Sequence, residues 1–397
     1  MAGMPKLHIA FVASSAPSHM FPHFAVLTEL VRRGHRVSYL VGHHLTEVVA
    51  TTGADVVGYE TLLPGSPNAQ NWPDHDMAGA RMFLDDSIQV LPQVHAALDG
   101  DRPDLVLYDI GGMAGPIAAE RWGVPAVQVS PSIVAWETYH DDMAEVLGPM
   151  LASAGYREYR QAFDDWLAQT GTSLTFEQVT GEPRRCLVMI PRAMQPHADK
   201  VGERYRFVGP CIDPRREDPG GWAPPAGDGP LALVALGTSY TDRIDVYRNV
   251  IDALAQTDWR LVIATGKVAP ERVGAVPERV QLRARVPQPA VLARADAFVT
   301  HAGMGSCTEA LWYAVPMVAI PQAVDQPLNA ARLEELGVGR HLTADPPGPD
   351  ELRDAILSVA TDPGVRSRVD AIRDELHAVG GPVPAADAVE DVAAGRW

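Results

Sequence analysis

The chain has 397 residues, long for one hydrophobic core, and its 46% hydrophobic and 21% charged content is that of a globular protein of two domains rather than a disordered or fibrous one. A formal net charge of −17 argues against nucleic acid or an anionic membrane surface as a partner, because both would repel it at long range. Cys186, Cys211 and Cys307 lie far apart and form no CxxC pair, so neither a disulfide framework nor a cysteine zinc site is indicated, and a reducing compartment fits.

The opening "MAGMPKLHIAFVASSAPSHM" carries one lysine and an apolar run too short for a signal peptide's core, and no stretch reaches the length of a membrane span; the expected location is cytoplasmic. "LHIAFVAS", residues 7 to 14, predicts a strand, and "HFAVLTELVRRG" a helix ending at Gly34. The alternation continues through "RVSYLVG", "LTEVVATTG", "ADVVGYE", "PDLVLYD", "GPIAAERWG" and "PAVQVS", and then "CLVMIP" and "YRFVGP". Near-continuous apolar strands alternating with helices imply an α/β fold with a parallel sheet covered on both faces. Residues 211 to 230, dense in Pro, Gly and charge, read as a linker. The pattern then restarts with "LALVALG", "WRLVIATG", "VQLRARV", "ADAFVTHAG" and "VPMVAIPQ". The expectation is two Rossmann-like doubly wound domains, residues 1–210 and 231–380, facing across a cleft. Residues 381–397, which no strand follows, should form a closing helix that packs at the surface, across the domain junction.

"THAGMGSCTEALWYAVP", residues 300 to 316, concentrates polar residues at a strand-to-helix junction. His301 to Ser306 form the predicted turn. In open parallel sheets ligands sit beyond the carboxyl ends of strands, where a helix start offers backbone N–H groups and the positive end of its dipole. Gly303 and Gly305 would let an anion approach, with Ser306 and His301 as further donors, so the set suits a phosphate or diphosphate. Glu309, one turn on, would reach ribose hydroxyls. The competing reading is a tight turn in which Ser306 caps the helix and Glu309 completes a capping box. A metal or nucleophile site is disfavoured: His301 and Cys307 lack a second ligand pair, and Ser306 lacks a G-x-S-x-G elbow.

The wider string "RVPQPAVLARADAFVTHAGMGSCTEALWYAVPMVAIPQAVDQPLNAARLEELGVG" resembles the donor-binding signature of the nucleotide-sugar glycosyltransferases of family 1, most of all the bacterial macrolide and polyketide glucosyltransferases. The resemblance implies the B-type glycosyltransferase fold, with the nucleotide sugar on the C-terminal half and the acceptor on the N-terminal half. It assigns the diphosphate to His301, Ser306 and the backbone of Gly303, Met304 and Gly305, the ribose to Glu309, and the sugar hydroxyls to Asp325 and Gln326. Gly237, Thr238 and Ser239 would line the diphosphate and sugar, and Val286 and Gln288 the nucleoside. Many relatives carry tryptophan where this chain has Arg285; a guanidinium plane can also stack on a base, though a solvated arginine is the plainer alternative.

Transfer to a hydroxyl needs a base, and His19 in "SSAPSHMFPHF" is the candidate. In a sheet of order 3-2-1-4-5 the first and fourth strands are neighbours, which brings Asp109, at the end of "PDLVLYD", to His19 from about 90 residues away. A carboxylate on one ring nitrogen fixes the tautomer and stabilises the imidazolium. The pair also resembles the family's histidine and aspartate, although relatives usually carry glycine where this chain has Ser18; His23 is expected to be structural. The implied reaction is a single displacement with inversion and no cofactor or metal. The triplets Asp74-His75-Asp76 and Asp99-Gly100-Asp101 follow no buried strand. Residues 61 to 93 read as a long loop whose Trp72, Met77, Met82 and Phe83, with Met113, Trp136 and Tyr139, would form an apolar wall for a macrolide, polyketide or aromatic acceptor. Asp325-Gln326 leans toward UDP-glucose. The alternatives are a TDP-deoxysugar donor, a non-catalytic nucleotide-sugar-binding auxiliary protein, or an epimerase of the same fold. Nothing in the sequence indicates an oligomeric state.

Overall fold

The computed structural model describes residues 5–65, 76–216, 220–237, 241–323 and 325–397. The chain divides into one unit of Met1–Cys211 with Gly380–Trp397 and a second of Ile212–Val379. Both contain a parallel sheet, as the alternating pattern requires.

The first unit's strands are β1 (His8–Val12), β2 (Arg36–Gly42), β3 (Asp55–Tyr59), β4 (Leu105–Asp109), β5 (Ala126–Ser130), β6 (Cys186–Val188) and β7 (Tyr205–Phe207), ordered β3-β2-β1-β4-β5-β6-β7. β1 and β4 are buried along their whole length because helices cover both faces. Strand alternation divides their side chains. Ile9, Phe11, Leu105 and Leu107 face one core, with Leu27 and Leu30 of helix Phe24–Arg32. Ala10, Val12, Val106 and Tyr108 face the other, with helices Asp76–Leu98, Ala114–Trp122 and Ala154–Thr170.

The second unit repeats the topology with β8 (Leu231–Ala235), β9 (Arg260–Ala264), β10 (Val280–Arg283), β11 (Ala297–Thr300), β12 (Met317–Ala319) and β13 (Gly339–His341), ordered β10-β9-β8-β11-β12-β13. In each sheet the strand order reverses direction beside a central strand, between β1 and β4 and between β8 and β11. Those are the two places where loops leave the sheet toward opposite faces and open a crevice.

Three expectations change. Residues 76–98 are a helix, not part of a long loop, because Leu84, Leu91, Val94 and Leu98 recur at helical spacing and bury one face; Pro92 sits within it. The short β13 adds a strand that three residues give too little pattern to predict. The helix expected to start after Ser306 begins at Met304, so Ser306 lies inside its first turn.

The closing helix Pro382–Ala393 packs on helix Phe24–Arg32 of the first unit, with Ala385, Val389 and Val392 in its core. Arg33 ties the two together, donating to Glu29 at 2.8 Å, Asp387 at 2.6 Å and Glu390 at 3.0 Å, while His35 lies 2.9 Å from the other oxygen of Glu390. Within the second unit, Trp222 donates to Gln281 at 2.9 Å and the Arg294 guanidinium lies 5.4 Å from its ring. No helix among the described residues is long and apolar enough to cross a membrane.

Candidate active site

In the first unit, the pairing of Val12 with Tyr108 sets the ends of β1 and β4 side by side. Asp109 is the last residue of β4, and His19 reaches it from the short helix Pro17–Met20 that follows β1. His19 Nδ1 lies 3.0 Å from Asp109 Oδ1; the His19 side chain is 24% exposed and the carboxylate 0%. The other oxygen, Oδ2, accepts the backbone N–H of Ser14 at 3.2 Å and of Gly111 at 3.1 Å, and the Ser14 hydroxyl. Burial alone would push the Asp109 carboxyl up, but the His19 charge and hydrogen bond, then His23 and the Ser14 hydroxyl, outweigh it and hold the carboxyl down at about 2. An ionised carboxylate only accepts, so Nδ1 carries the proton and Nε2 is left as the ring nitrogen able to accept one. The Phe83 ring lies 5.9 Å from that of His19.

His23, expected to be structural, is fully buried with its ring 4.8 Å from Phe11, and neither of its nitrogens has a hydrogen-bond partner among the described residues. Burial lowers it from its ordinary 6.5 to about 4, against the opposing pull of Asp109. The unfolded chain therefore takes up a proton here between pH 6.5 and 4 that the folded chain refuses. This residue costs nothing above pH 6.5 and progressively more as pH falls toward 4, about 2 kcal/mol at pH 5. Urea unfolding at pH 7 and pH 5 should show that loss, and His23→Leu should remove it; an equally steep acid decline in the variant would acquit His23.

In the second unit the pairing of Thr300 with Ala235 juxtaposes the ends of β11 and β8. His301 follows β11 and its ring fills the space beside Gly237 and Gly303. A Cβ on Gly237 would come within 2.6 Å of His301 Nε2, and one on Gly303 would also collide with that nitrogen. Gly237 is further held at φ +81. Gly303 thus makes room for the histidine, whereas the Cβ position of Gly305 meets open space. His301 is half-buried, with its Nδ1 buried and the backbone of Ala235 close to its ring. Burial lowers it to about 4, with Asp325 opposing, so the ring is neutral near pH 7.

Gly303 is the N-cap of helix Met304–Trp312 and offers no side-chain cap, so Ser306 and Glu309 do not form a capping box. The first N–H groups of the helix, including those of Met304 and Gly305, have no intrahelical partner. Gln288, the first residue of helix Gln288–Leu292, donates to Ser306 at 3.3 Å and to Glu309 Oε2 at 2.7 Å. Val286 is half-buried and Arg285 exposed. Asp325 stands at the N-terminal boundary of helix Gln326–Glu335 without capping it and accepts from Asn329 at 2.8 Å, while Asn329 also donates to the carbonyl of Ala302 at 3.0 Å. Gln326 accepts from the backbone of Gln322 at 2.8 Å and Ala323 at 3.1 Å, so its carbonyl oxygen shapes the loop.

Thr238, Ser239 and Trp72 lie outside the described residues. Met113 is buried in the core, and Trp136 is buried with its indole N–H on Asp142 at 2.7 Å and its ring against Tyr139 and His197. Met77 and Phe83 are half-buried on helix Asp76–Leu98. Asp99 accepts from Trp122 and Arg121, and Asp101 from Arg36. Among the described residues no group of three or more His, Cys, Asp or Glu is arranged to hold a metal ion. The roles of Ser14, Asn329 and Arg216, which pairs with Glu309, went unread in the sequence: each depends on a partner from a distant segment, and no local motif marks them.

Residues 248–392 match the family model described as "Erythromycin biosynthesis protein CIII-like, C-terminal domain". The chain is 42% identical over 390 residues to the oleandomycin glycosyltransferase of Streptomyces antibioticus, covering 96% of this chain and 90% of that one. Among solved structures, the glycotransferase of kitacinnamycin superposes with a TM-score of 0.88 at 39% identity, covering 98% of this chain and 99% of the other. CalG4, the calicheamicin glycosyltransferase, superposes with a TM-score of 0.83 at 31% identity, covering 98% of each.

Proposed function

The chain belongs to the family 1 glycosyltransferases of B-type fold, enzymes that move a sugar from a nucleotide-sugar donor to an acceptor, and we propose that it transfers glucose from UDP-glucose, with inversion, to a hydroxyl of a hydrophobic natural product such as a macrolide, another polyketide or an aromatic compound. What supports this reading is the different company of two histidines. Asp109 backs His19 through Nδ1, as a general base requires, whereas His301 stands at the open N–H groups of helix Met304–Trp312, as an anion ligand does.

In the proposed reaction the acceptor O–H gives its proton to His19 Nε2 as its oxygen bonds to the anomeric carbon. The bond from that carbon to the diphosphate oxygen breaks, and UDP leaves with the electron pair. The departing charge is met by His301, Ser306 and the backbone N–H groups of Met304 and Gly305, where positive dipole already points. Glu309 takes the ribose hydroxyls, Gln288 and Val286 border the nucleoside, with Arg285 at its edge, and Asp325 takes sugar hydroxyls with Gln326 beside it. Thr238 and Ser239 belong by resemblance to the same donor region. Met77 and Phe83 are the acceptor contacts favoured by their partial exposure, and the proximity of Phe83 to His19 strengthens the choice.

The test is a donor screen, UDP-glucose against TDP-deoxysugars, with a polyketide and flavonoid panel in EDTA and mass detection of the glycoside. UDP release with a product heavier by one hexose is expected. Transfer only from TDP-sugars would replace the donor assignment, and an isomerised sugar nucleotide without glycoside would replace the reaction.

A further inference from the structure

The Pro- and Gly-rich stretch expected to act as a plain linker sends a cation to the proposed nucleotide site. Arg216 ends the short 3-10 turn Pro214–Arg216, which packs on helix Gln288–Leu292 within the second unit. Its Nη1 lies 2.8 Å from Glu309 Oε1, and Gln288 donates to Oε2 at 2.7 Å. The Glu309 side chain is 11% exposed and that of Arg216 31%. One group therefore holds each oxygen of a carboxylate that keeps a narrow opening to solvent.

We propose that Arg216 is a positioning residue for the donor: it fixes the Glu309 carboxylate so that this group accepts both hydroxyls of a ribose diol, and the preference for ribose over 2′-deoxyribose arises from that clamp. The inference rests on the reading that Glu309 binds the ribose. A carboxylate has about four acceptor positions, so the contacts from Arg216 and Gln288 leave capacity for two incoming hydroxyls. A glutamate without the clamp must give up rotamer freedom when the ribose arrives, whereas a clamped one has already done so. The positive charge of Arg216 also draws in the anionic diphosphate, but that attraction is the same with either sugar. The ratio of the two affinities isolates the positioning effect.

Binding of UDP and of 2′-deoxy-UDP to the full chain is measured by calorimetry for the parent, Arg216→Ala, Arg216→Gln and Arg216→Lys, with circular dichroism and thermal melting as checks of folding. The parent should bind UDP about tenfold more tightly than 2′-deoxy-UDP, the worth of one charge-assisted hydrogen bond. Both neutral variants should lose most of that ratio, and lysine should restore part of it. A general loss of structure would show in the circular dichroism and the melting temperature, which the variants should keep. If the parent discriminates and both neutral variants discriminate equally well, Glu309 binds ribose without help and this inference is overturned. If the parent itself does not discriminate, the ribose assignment of Glu309 fails and takes the inference with it.

Discussion

Replacing His19 with alanine is expected to lower kcat for glycoside formation about a thousandfold while leaving the Kd for UDP within about twofold, since general-base catalysis contributes roughly 10² to 10⁴ in rate. The split follows from where the residue stands. His19 belongs to the first unit and pairs with Asp109, whereas the residues proposed for the diphosphate follow β8 and β11 in the second. Steady-state kinetics with saturating acceptor, together with calorimetry of UDP binding, separates the two quantities. Full turnover in His19→Ala would remove it from the mechanism; a large loss of UDP affinity would move it to the donor site.

The second large effect is expected at Asp109. Asp109→Asn keeps the size of the side chain but replaces the acceptor oxygens with an amide that also donates, so nothing compels His19 to carry its proton on Nδ1. A fall in kcat of about 10³ to 10⁴ is expected, close to that of His19→Ala, and the double variant should be little worse than either single one because the pair works as a unit. The carboxyl is held at about 2 in the folded protein against an ordinary 3.8, so its contribution to stability is complete above pH 3.8 and is lost as pH falls toward 2. The carboxylate therefore stays charged throughout the neutral range, and the acid limb of the pH–rate profile belongs to another group. Activity in Asp109→Asn within tenfold of the parent would show that His19 does not depend on it.

These predictions use residues that sequence reasoning reached by two different routes. The dyad came from topology: once "LHIAFVAS" and "PDLVLYD" are strands of one doubly wound sheet, β1 and β4 are neighbours, and His19 and Asp109 follow. The phosphate part of the donor constellation was suggested by a strand-to-helix junction, whose chemistry is local and so is written in consecutive residues, while its nucleoside and sugar contacts came from resemblance to the family 1 glycosyltransferases. Where the pattern was short or the partners distant, the reading failed. β13 has three residues, and helix Asp76–Leu98 was hidden by the polar, Pro-containing residues before it. Trp136 and Met113, expected to line an apolar wall, are both buried, and composition alone does not say how far a side chain is exposed.

By itself the sequence determined the class of fold, the strand order of the first sheet and the types of residue at both switch points, because hydrophobic periodicity and strand-to-helix junctions are local properties of the chain. Only the tertiary structure decided what each of those residues touches. It gave Gly303 and Gly237 to the ring of His301, tied Ser14 to the far oxygen of Asp109, and brought Gln288 and Arg216 to the two oxygens of Glu309. Those assignments join residues as many as 95 positions apart, and a hydrogen bond is decided by distance in space, which no spacing along the chain records.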